Sequence, residues 1–325
     1  MTPVPAVELK EIAPDAYARE VLPLTAPLWA GNRDLETYVS QSLAVARSGY
    51  GRRHYRTVGL FENAVTVASF KRYERVVHDG PRRLRALGIG AVFTPEAFRG
   101  RGYASVMLGH ALDRAKADGY DLAYLFSDIR PQFYEPLGFR TLASREISLR
   151  ADTLGKRRLE VVRLEDSDWS GVRRCFELCS RLAPSGFTRT QLVWEWIRLR
   201  MAQFTEHKHG QQTNLVARRG RGIAAYVLGV RAPERDAYFV DEYGFADDAA
   251  AELIPALLRA AAGDLRRIVG WLPPAGAREL LPRGSVRKRK NSVLMAAPLT
   301  APGSRVVKAA LVPSVHDFCW ATDHI

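Results

Sequence analysis

A strand, a glycine-rich turn and a helix follow one another directly between residues 91 and 118 of this 325-residue chain. An apolar, β-branched run ends at Thr94-Pro95, and the turn Arg99-Gly-Arg-Gly102 leads into the helix. The helix is predicted because apolar residues recur at i, i+3 and i+4, in the order Met107, Leu108, Ala111, Leu112 and Ala115. Gly119 is a suitable C-cap. The stretch therefore predicts strand, turn and helix within an α/β domain.

The turn itself has the chemistry of an anion site. Gly100 and Gly102 allow the backbone to approach a bulky anion and to adopt positive φ where the turn needs it. The first amides of the helix are unpaired donors, and the helix dipole adds positive potential there. Arg99 and Arg101 contribute two further charges. A pyrophosphate is the natural guest of such a turn, although a bare R-G-x-G also occurs in ordinary surface loops.

Two further segments follow at a set spacing. Asp121 to Asp128 is predicted to be a buried strand, and Phe133-Tyr-Glu-Pro-Leu-Gly-Phe139 comes after a short turn. The succession of Arg99-x-x-Gly102-x-Ala104, a strand, and Tyr134-x-x-x-Gly138-Phe139 resembles the GCN5-related N-acetyltransferase (GNAT) superfamily. The resemblance implies that the Arg/Gly turn holds the pyrophosphate of coenzyme A and that Tyr134 protonates the departing thiolate.

By this resemblance the co-substrate is acetyl-CoA. The expected coenzyme-binding residues are the strand end, whose backbone meets the pantetheine arm, and the turn with the first helical residues: Val92, Phe93, Thr94, Arg99, Gly100, Arg101, Gly102, Tyr103 and Ala104. A backbone amide near Phe93 is expected to stabilise the oxyanion. No metal is expected, because His207-x-His209 has no third ligand at a useful spacing.

Length and composition bound the class of protein. A chain of 325 residues predicts two domains, and 47% apolar residues are typical of a globular protein. No run of about 18 uncharged apolar residues and no secretory signal occurs, and three cysteines give no disulfide framework, so a cytoplasmic location without membrane contact is expected. The net charge of +13 is spread along the chain without an RNA-binding signature, which argues against nucleic acid as a partner.

The second half repeats the order of elements of the first, which indicates an internal duplication. We therefore expect an α/β protein of tandem GNAT-like domains with mostly antiparallel sheets flanked by helices. The expected divisions are a coenzyme-binding domain at 1–150, a degenerate copy at 151–300, and a tail at 301–325 that docks near the active site. Closing strands are expected near 141–150 for the first sheet and at 293–297 for the second, and residues 1–20 are expected to be irregular.

The two copies differ at the turn. Where the first has Arg99-Gly-Arg-Gly102, the second has Ala246-Asp-Asp-Ala-Ala250 entering its helix. Two aspartates at a helix N-terminus satisfy the dipole themselves and repel a pyrophosphate. One coenzyme site per chain is therefore expected.

Tandem copies with only the first turn intact resemble two kinds of GNAT enzyme. One is the enhanced-intracellular-survival type, which acetylates aminoglycosides, and the other is the fungal lysine N6-acetyltransferase type. Ser127-Asp-Ile-Arg-Pro-Gln-Phe-Tyr134 is similar to the strand-and-turn segment of the fungal type but carries Arg130 where that type has glycine. The roughly 25 residues after Thr300 are too few for the third domain of the survival type.

Three residues are candidates for proton transfer. Tyr134 is the candidate general acid by its motif position. The base is either Glu242, which ends a strand of the second copy, or the carboxylate of Ile325, since the survival type brings its C-terminal carboxylate into the active site. Asp128 and Asp323 are the candidate substrate contacts, and together with Asp241 and Glu242 they could hold a cationic acceptor. Asp323 or His324 could assist the Ile325 carboxylate as base.

The sequence thus predicts direct acetyl transfer to a primary amine, with a small amine, an amino acid or an aminoglycoside-like molecule as acceptor. Two other classes stay open: an acyl-CoA sensor without turnover, and a protein-lysine acetyltransferase associated with nucleic acid. Assembly as a homo-oligomer stays open as well.

Overall fold

The structure is a computed structural model and describes residues 7–128, 130–155, 160–207, 210–271, 281–282, 284–312 and 319–325. Within these ranges, two sheets of eight strands each are flanked by helices, which confirms the predicted α/β architecture with two halves. His209 of the histidine pair lies outside the described residues. No helix within the described ranges is both long and apolar enough to cross a membrane.

The chain up to residue 141 contributes six strands and six helices. The strands are β1 (Val7–Ile12), β2 (Tyr55–Glu62), β3 (Val65–Asp79), β4 (Arg82–Phe93), β5 (Leu122–Ser127) and β6 (Arg140–Thr141). The helices are α1 (Pro14–Glu20), α2 (Leu22–Trp29), α3 (Leu35–Arg47), α4 (Gly49–His54), α5 (Tyr103–Ala117) and α6 (Pro131–Tyr134).

The remaining described elements follow in chain order. The strands are β7 (Arg145–Arg150), β8 (Val161–Arg163), β9 (Ser185–Phe187), β10 (Gln211–Gln212), β11 (Leu215–Arg219), β12 (Gly222–Ala232), β13 (Ala237–Phe245), β14 (Arg267–Trp271), β15 (Val286–Lys288) and β16 (Val293–Pro298). The helices are α7 (Trp169–Ser180), α8 (Gln191–His207), α9 (Asp248–Ala251), α10 (Ile254–Ala262) and α11 (Ala301–Ala310).

The two sheets have equivalent strand orders. The first runs β1-β2-β3-β4-β5-β16-β6, and the second runs β8-β11-β12-β13-β14-β7-β15. Each has one parallel pair along this path, β4 with β5 and β13 with β14, and the other described pairs are antiparallel. A helical segment joins the parallel strands in both, α5 in the first and α9 with α10 in the second. The duplication predicted from the sequence is therefore present in the topology.

The halves exchange one strand, so both predictions for the closing strands were wrong. β7 pairs with β14 of the second sheet, from Arg150 opposite Arg267 to Glu146 opposite Trp271. β16 pairs with β5 of the first sheet, from Val293 opposite Ser127 to Pro298 opposite Leu122. The expected divisions at 150 and 300 therefore cut across both sheets. Five of the six residues of β16 are buried, so its sequence carries no alternation that would indicate which sheet it joins.

The N-terminal prediction was also wrong for the described residues. β1 is paired with β2 along its whole length, from Val7 opposite Glu62 to Ile12 opposite Thr57. Pro14, the one proline of this stretch among the described residues, stands in the first turn of α1, where a missing amide costs nothing.

Local helix predictions were confirmed. α5 buries the predicted face of Met107, Leu108, Ala111, Leu112 and Ala115 against the first sheet. α3 begins after Asp34, whose side chain accepts a hydrogen bond from the Thr37 amide at 2.7 Å. On the other side of the first sheet, α8 of the second half packs against α3 and α4, where the rings of Tyr50 and Trp196 stack at 4.9 Å.

Candidate active site

The parallel strands β4 and β5 part at their C-terminal ends. Their pairing runs from Ala86 opposite Leu122 to Ile89 opposite Leu125, although each strand continues beyond that point. A bulge accompanies the parting, because two residues of β4, Ala91 and Val92, stand opposite one residue of β3. Ala91 has φ +48°. The opened backbone edges of both strands line a cavity of about 960 Å³.

The glycine turn lies at one edge of this cavity. Gly100 and Gly102 have φ of +76° and +80°, and no atom lies within 4 Å of the position a Cβ would take at either residue. Gly102 is the N-cap of α5 and leaves the first amides of the helix without a side-chain cap. Arg99 is exposed and donates from Nε to the Thr94 carbonyl at 3.2 Å. The turn therefore presents open amides, a helix N-terminus and two arginines to solvent.

The other expected coenzyme residues divide between the cavity and its surroundings. Val92, Thr94 and Ala104 line the cavity. The Phe93 side chain is buried and makes an edge contact with Trp29 at 6.3 Å. The Tyr103 hydroxyl donates to Glu62 Oε1 at 2.7 Å and so fixes the first turn of α5 against β2.

Tyr134 lines the same cavity at the end of α6. Its ring is held edge-on by Phe133 at 4.9 Å and by Phe139 at 5.9 Å. Burial, and after it the nearby charge of Asp128, raises the pKa of the Tyr134 phenol above its ordinary value. The phenol therefore holds its proton throughout the neutral range.

The carboxyl end of Ile325 also reaches the cavity. Its carboxyl carbon lies 3.4 Å from the position that a Cβ on Gly90 would take, at the point where β4 and β5 begin to part. His324 packs between the rings of Phe126 at 4.7 Å and Trp271 at 5.7 Å, and its carbonyl accepts from Arg200. Tyr134 and the Ile325 carboxyl group, which the sequence separates by most of the second half, are thus brought to one cavity.

Glu242 and Asp323 lie elsewhere, in a buried ion cluster. Asp323 accepts from Arg75 at 2.7 Å and pairs with Arg189 at 2.8 Å. Arg189 also pairs with Glu242 at 2.8 Å, and Glu242 accepts from the Tyr226 hydroxyl at 2.6 Å and from Thr322. These four charged side chains are at most 1% exposed. Neither carboxylate is among the described lining residues of the cavity, so the structure does not bring Glu242 or Asp323 to a substrate there.

The pKa values of the two carboxyl groups in the cluster are shifted in opposite directions. Burial raises the pKa of Glu242, and Arg189, Thr322 and Tyr226 do not fully offset that rise. Burial also acts to raise the pKa of Asp323, but the charges of Arg189 and Arg75 outweigh it, so that pKa is lowered. Asp323 therefore remains an anion between two guanidinium groups.

Asp128, the other expected substrate contact, does line the cavity, beside Tyr134. Its Oδ1 accepts from the amide of Ser292 at 2.9 Å and from the Ser292 hydroxyl at 2.7 Å. The carboxylate is thus anchored to the segment that leads into β16, and it remains exposed. Asp241 lines the cavity from the second half.

Comparison with known proteins identifies the family. Residues 35–142, which include the turn and the Tyr134 segment, match the family model described as an acetyltransferase (GNAT) domain. Residues 35–142 are therefore a GNAT domain. No curated protein sequence matches it significantly.

Solved GNAT structures share the fold over nearly the whole chain. A GCN5-related N-acetyltransferase from Anabaena variabilis superposes with a TM-score of 0.72 at 12% identity, over 92% of this chain and 74% of its own. Eis1 from Mycobacterium abscessus superposes with a TM-score of 0.62 at 13% identity, over 90% of this chain and 74% of its own. A tandem GNAT protein from the clavulanic acid biosynthesis pathway superposes with a TM-score of 0.54 at 11% identity, over 91% of this chain and 99% of its own. At these identities the likeness concerns the tandem GNAT fold.

In the second GNAT-like half, an aspartate side chain caps the helix that corresponds to α5. Asp247 is the N-cap of α9 and accepts from the Ala250 amide at 2.8 Å. The same carboxylate pairs with Arg219 at 2.7 Å. The donors that the first half leaves open at Gly102 are here used by a carboxylate of the chain, as expected from Ala246 to Ala250.

Sequence reasoning missed the far wall of the cavity. This wall comes from α2, α3, β3 and α8, and its charged and polar members are Arg33, Gln41, Lys71, Arg200 and Gln203. None of them belongs to a recognisable motif. Lys71 alone carried a usable signal, as a lysine in the apolar strand Ala64 to Phe70 and its continuation.

Replacement of Asp323 by Asn tests the buried cluster. We expect Asp323→Asn to lower the free energy of unfolding by about 3–5 kcal/mol, because two buried guanidinium groups lose their shared anion. Urea unfolding measures the change. In the control, Asp264→Asn removes an exposed partner of Arg231 and should alter stability little. Equal small effects for both variants would contradict the structural role of the cluster.

Proposed function

We propose that the chain transfers an acetyl group from acetyl-CoA directly to a primary amine in a ternary complex. The observation that carries the proposal is that one cavity is lined by Tyr134, by Ile325 and by Ala104, which lies in the first turn of the uncapped helix that begins after Gly102. The GNAT domain supports the use of an acyl-CoA.

The coenzyme would bind along the parting of β4 and β5. Its pyrophosphate would take the amides from Gly100 to Ala104, with Arg99 and Arg101 adding charge. The pantetheine arm would follow the backbone at Val92 and Thr94, which lie beyond the last pair of β4 with β5, Ile89 opposite Leu125. The thioester then points toward Tyr134, and a backbone amide near Phe93 stabilises the oxyanion.

Proton transfer would use the Ile325 carboxyl group and the Tyr134 phenol. The neutral amine attacks the thioester carbon, and the Ile325 carboxylate accepts the proton that the nitrogen loses as the carbon–nitrogen bond forms. The carbon–sulfur bond of the tetrahedral intermediate breaks, and Tyr134 donates its proton to the departing thiolate. The products are the N-acetylated amine and coenzyme A, and the proton held by Ile325 restores the phenol through water. Glu242 has no part in this scheme because it is buried in the ion cluster.

A charge placed on the turn tests the coenzyme site. Gly102→Asp should weaken acetyl-CoA binding by at least roughly 30-fold, equivalent to about 2 kcal/mol, because the new carboxylate occupies the helix N-terminus and repels phosphate. Calorimetry measures the affinity. Gly220→Asp is the matched control, since Gly220 is an exposed turn glycine with φ +58° and equally open surroundings. Unchanged binding by the Gly102 variant would remove the turn from the proposal.

Loss of the phenol tests the general acid. Tyr134→Phe should lower kcat by about 10²- to 10⁴-fold while acetyl-CoA affinity stays near that of the parent, because the hydroxyl is needed only when the thiolate departs. Steady-state kinetics and calorimetry separate the two. Tyr238→Phe removes a buried hydroxyl that donates to the Thr213 carbonyl far from the turn, and should leave kcat unchanged. A kcat retained by Tyr134→Phe would assign the proton to another group.

A shift of the terminal carboxylate tests the base. One glycine added after Ile325 moves the carboxylate by up to about 3.6 Å and should lower kcat strongly with little change in acetyl-CoA affinity. Ile325→Val keeps the carboxylate in place and serves as the control. This extension is cleaner than deletion of residues 323–325, which would also remove Asp323 from the buried cluster. Full activity of the extended chain would exclude the carboxylate as base.

Turnover separates this proposal from an acyl-CoA sensor. A sensor would bind acetyl-CoA at the same turn but would release no free thiol with any amine. Thiol release measured over a panel of amines decides between the two functions.

A further inference from the structure

The far wall of the cavity carries a group of cations. Lys71 lies on β3 directly opposite Gly90 of β4, so its side chain stands on the sheet face that meets the Ile325 carboxyl group. Arg33, between α2 and α3, and Arg200, on α8, line the same part of the cavity.

These three cations are close enough to affect one another. The pKa of Lys71 is lowered to about 8, first by burial and then by the charges of Arg200 and Arg33. The pKa of Arg200 is lowered as well, with burial the main cause and Arg75 a further one. Burial and mutual repulsion thus disfavour the charged forms of these side chains, yet the fold places them together. Such an arrangement is unusual unless a ligand supplies the counter-charge.

Among the described residues, no carboxylate pairs with Arg33 or Lys71. Arg33 donates to the carbonyls of Trp29 at 2.6 Å and Ala30 at 2.8 Å and to the amide oxygen of Gln41 at 2.6 Å, all of them neutral acceptors. Lys71 has no hydrogen bond or ion pair to any residue in the described ranges, and its ammonium lies 5.9 Å from the centroid of the Tyr17 ring.

The carboxyl groups of the cavity have positions of their own. Asp128 is bonded to Ser292 beside Tyr134, and the Ile325 carboxyl group lies at Gly90 with no ion pair to Lys71 among the described contacts. Asp241 enters from β13 of the second half. A ligand that contacts both Ile325 and the far wall therefore meets a carboxylate at Ile325 and cations at the wall.

We propose that the acceptor is a primary amine that also carries a carboxylate, of the class of amino acids and other amino carboxylates, and that Lys71 and Arg33 bind this carboxylate while its amine faces Ile325. The inference rests on the proposed function and narrows its acceptor. Polycationic amines such as aminoglycosides, which the survival-type resemblance suggested, would place further positive charge against the three cations.

Paired probes test the inference at equilibrium. The pairs are L-phenylalanine with phenethylamine, L-leucine with 3-methylbutylamine, and L-lysine with cadaverine, and each pair differs by one carboxylate. Calorimetry on the full chain, with and without coenzyme A, measures both members. We expect at least one amino acid to bind about 10-fold or more tightly than its paired amine, as a hydrogen-bonded charge pair provides.

Variants assign the preference to the wall. Lys71→Met should remove most of that preference, Lys71→Arg should keep it, and Lys308→Met, an exposed lysine on α11, should not affect it. Because the comparison within the parent protein needs no variant, a Lys71 variant that fails to fold leaves the test intact. Equal affinity within every pair, or tightest binding by the aminoglycoside kanamycin, would overturn the inference.

Acetyl transfer to the same probes separates this inference from the proposed function. A carboxylate preference in binding without thiol release from acetyl-CoA would support the cationic wall and contradict the transferase. Thiol release with equal kcat/KM for both members of each pair would support the transferase and contradict the wall.

Discussion

The buried ion cluster joins three parts of the chain that the reaction needs together. Arg75 comes from β3 of the first half, Arg189 and Glu242 come from the second half, and Asp323 comes from the C-terminal segment. Charges removed from water in this way are tolerated only when each has its partner, so the cluster specifies one arrangement of the halves and the tail. Asp323 is two residues from Ile325, and its fixed position places the terminal carboxyl group at Gly90, where β4 and β5 part.

Both halves line the cavity, although only the first has a helix N-terminus without a side-chain cap. The parting of β4 from β5 and the uncapped helix at Gly102 belong to the first half, whereas Arg200, Asp241 and Trp271 come from the second. In the second half, Asp247 closes the equivalent helix N-terminus and pairs with Arg219. The duplicated domain has thus kept its fold while its side chains serve as walls for the cavity of the first.

Local features were predictable from the sequence, and pairing across the chain was not. The turn at Gly100 and Gly102 and the buried face of α5 follow from backbone freedom and helical periodicity, which neighbouring residues determine. The exchange of β7 and β16 depends on which of two equivalent sheets an apolar strand joins, and β16 has no alternation to decide this. Glu242 was expected at a strand end but lies inside β13, and nothing near it in the sequence indicates its buried partner Arg189. The cationic wall was missed because Arg33, Lys71 and Arg200 meet only in the folded chain.

In our proposal, one half of the chain binds the coenzyme and the other half forms a wall of the cavity. Calorimetric titration of the full chain with acetyl-CoA is the decisive measurement, because it gives the number of sites independently of any acceptor. We predict one acetyl-CoA per chain, at the turn from Arg99 to Ala104. Two per chain would show that Asp247 does not close the second helix N-terminus, and no binding would contradict the transferase altogether.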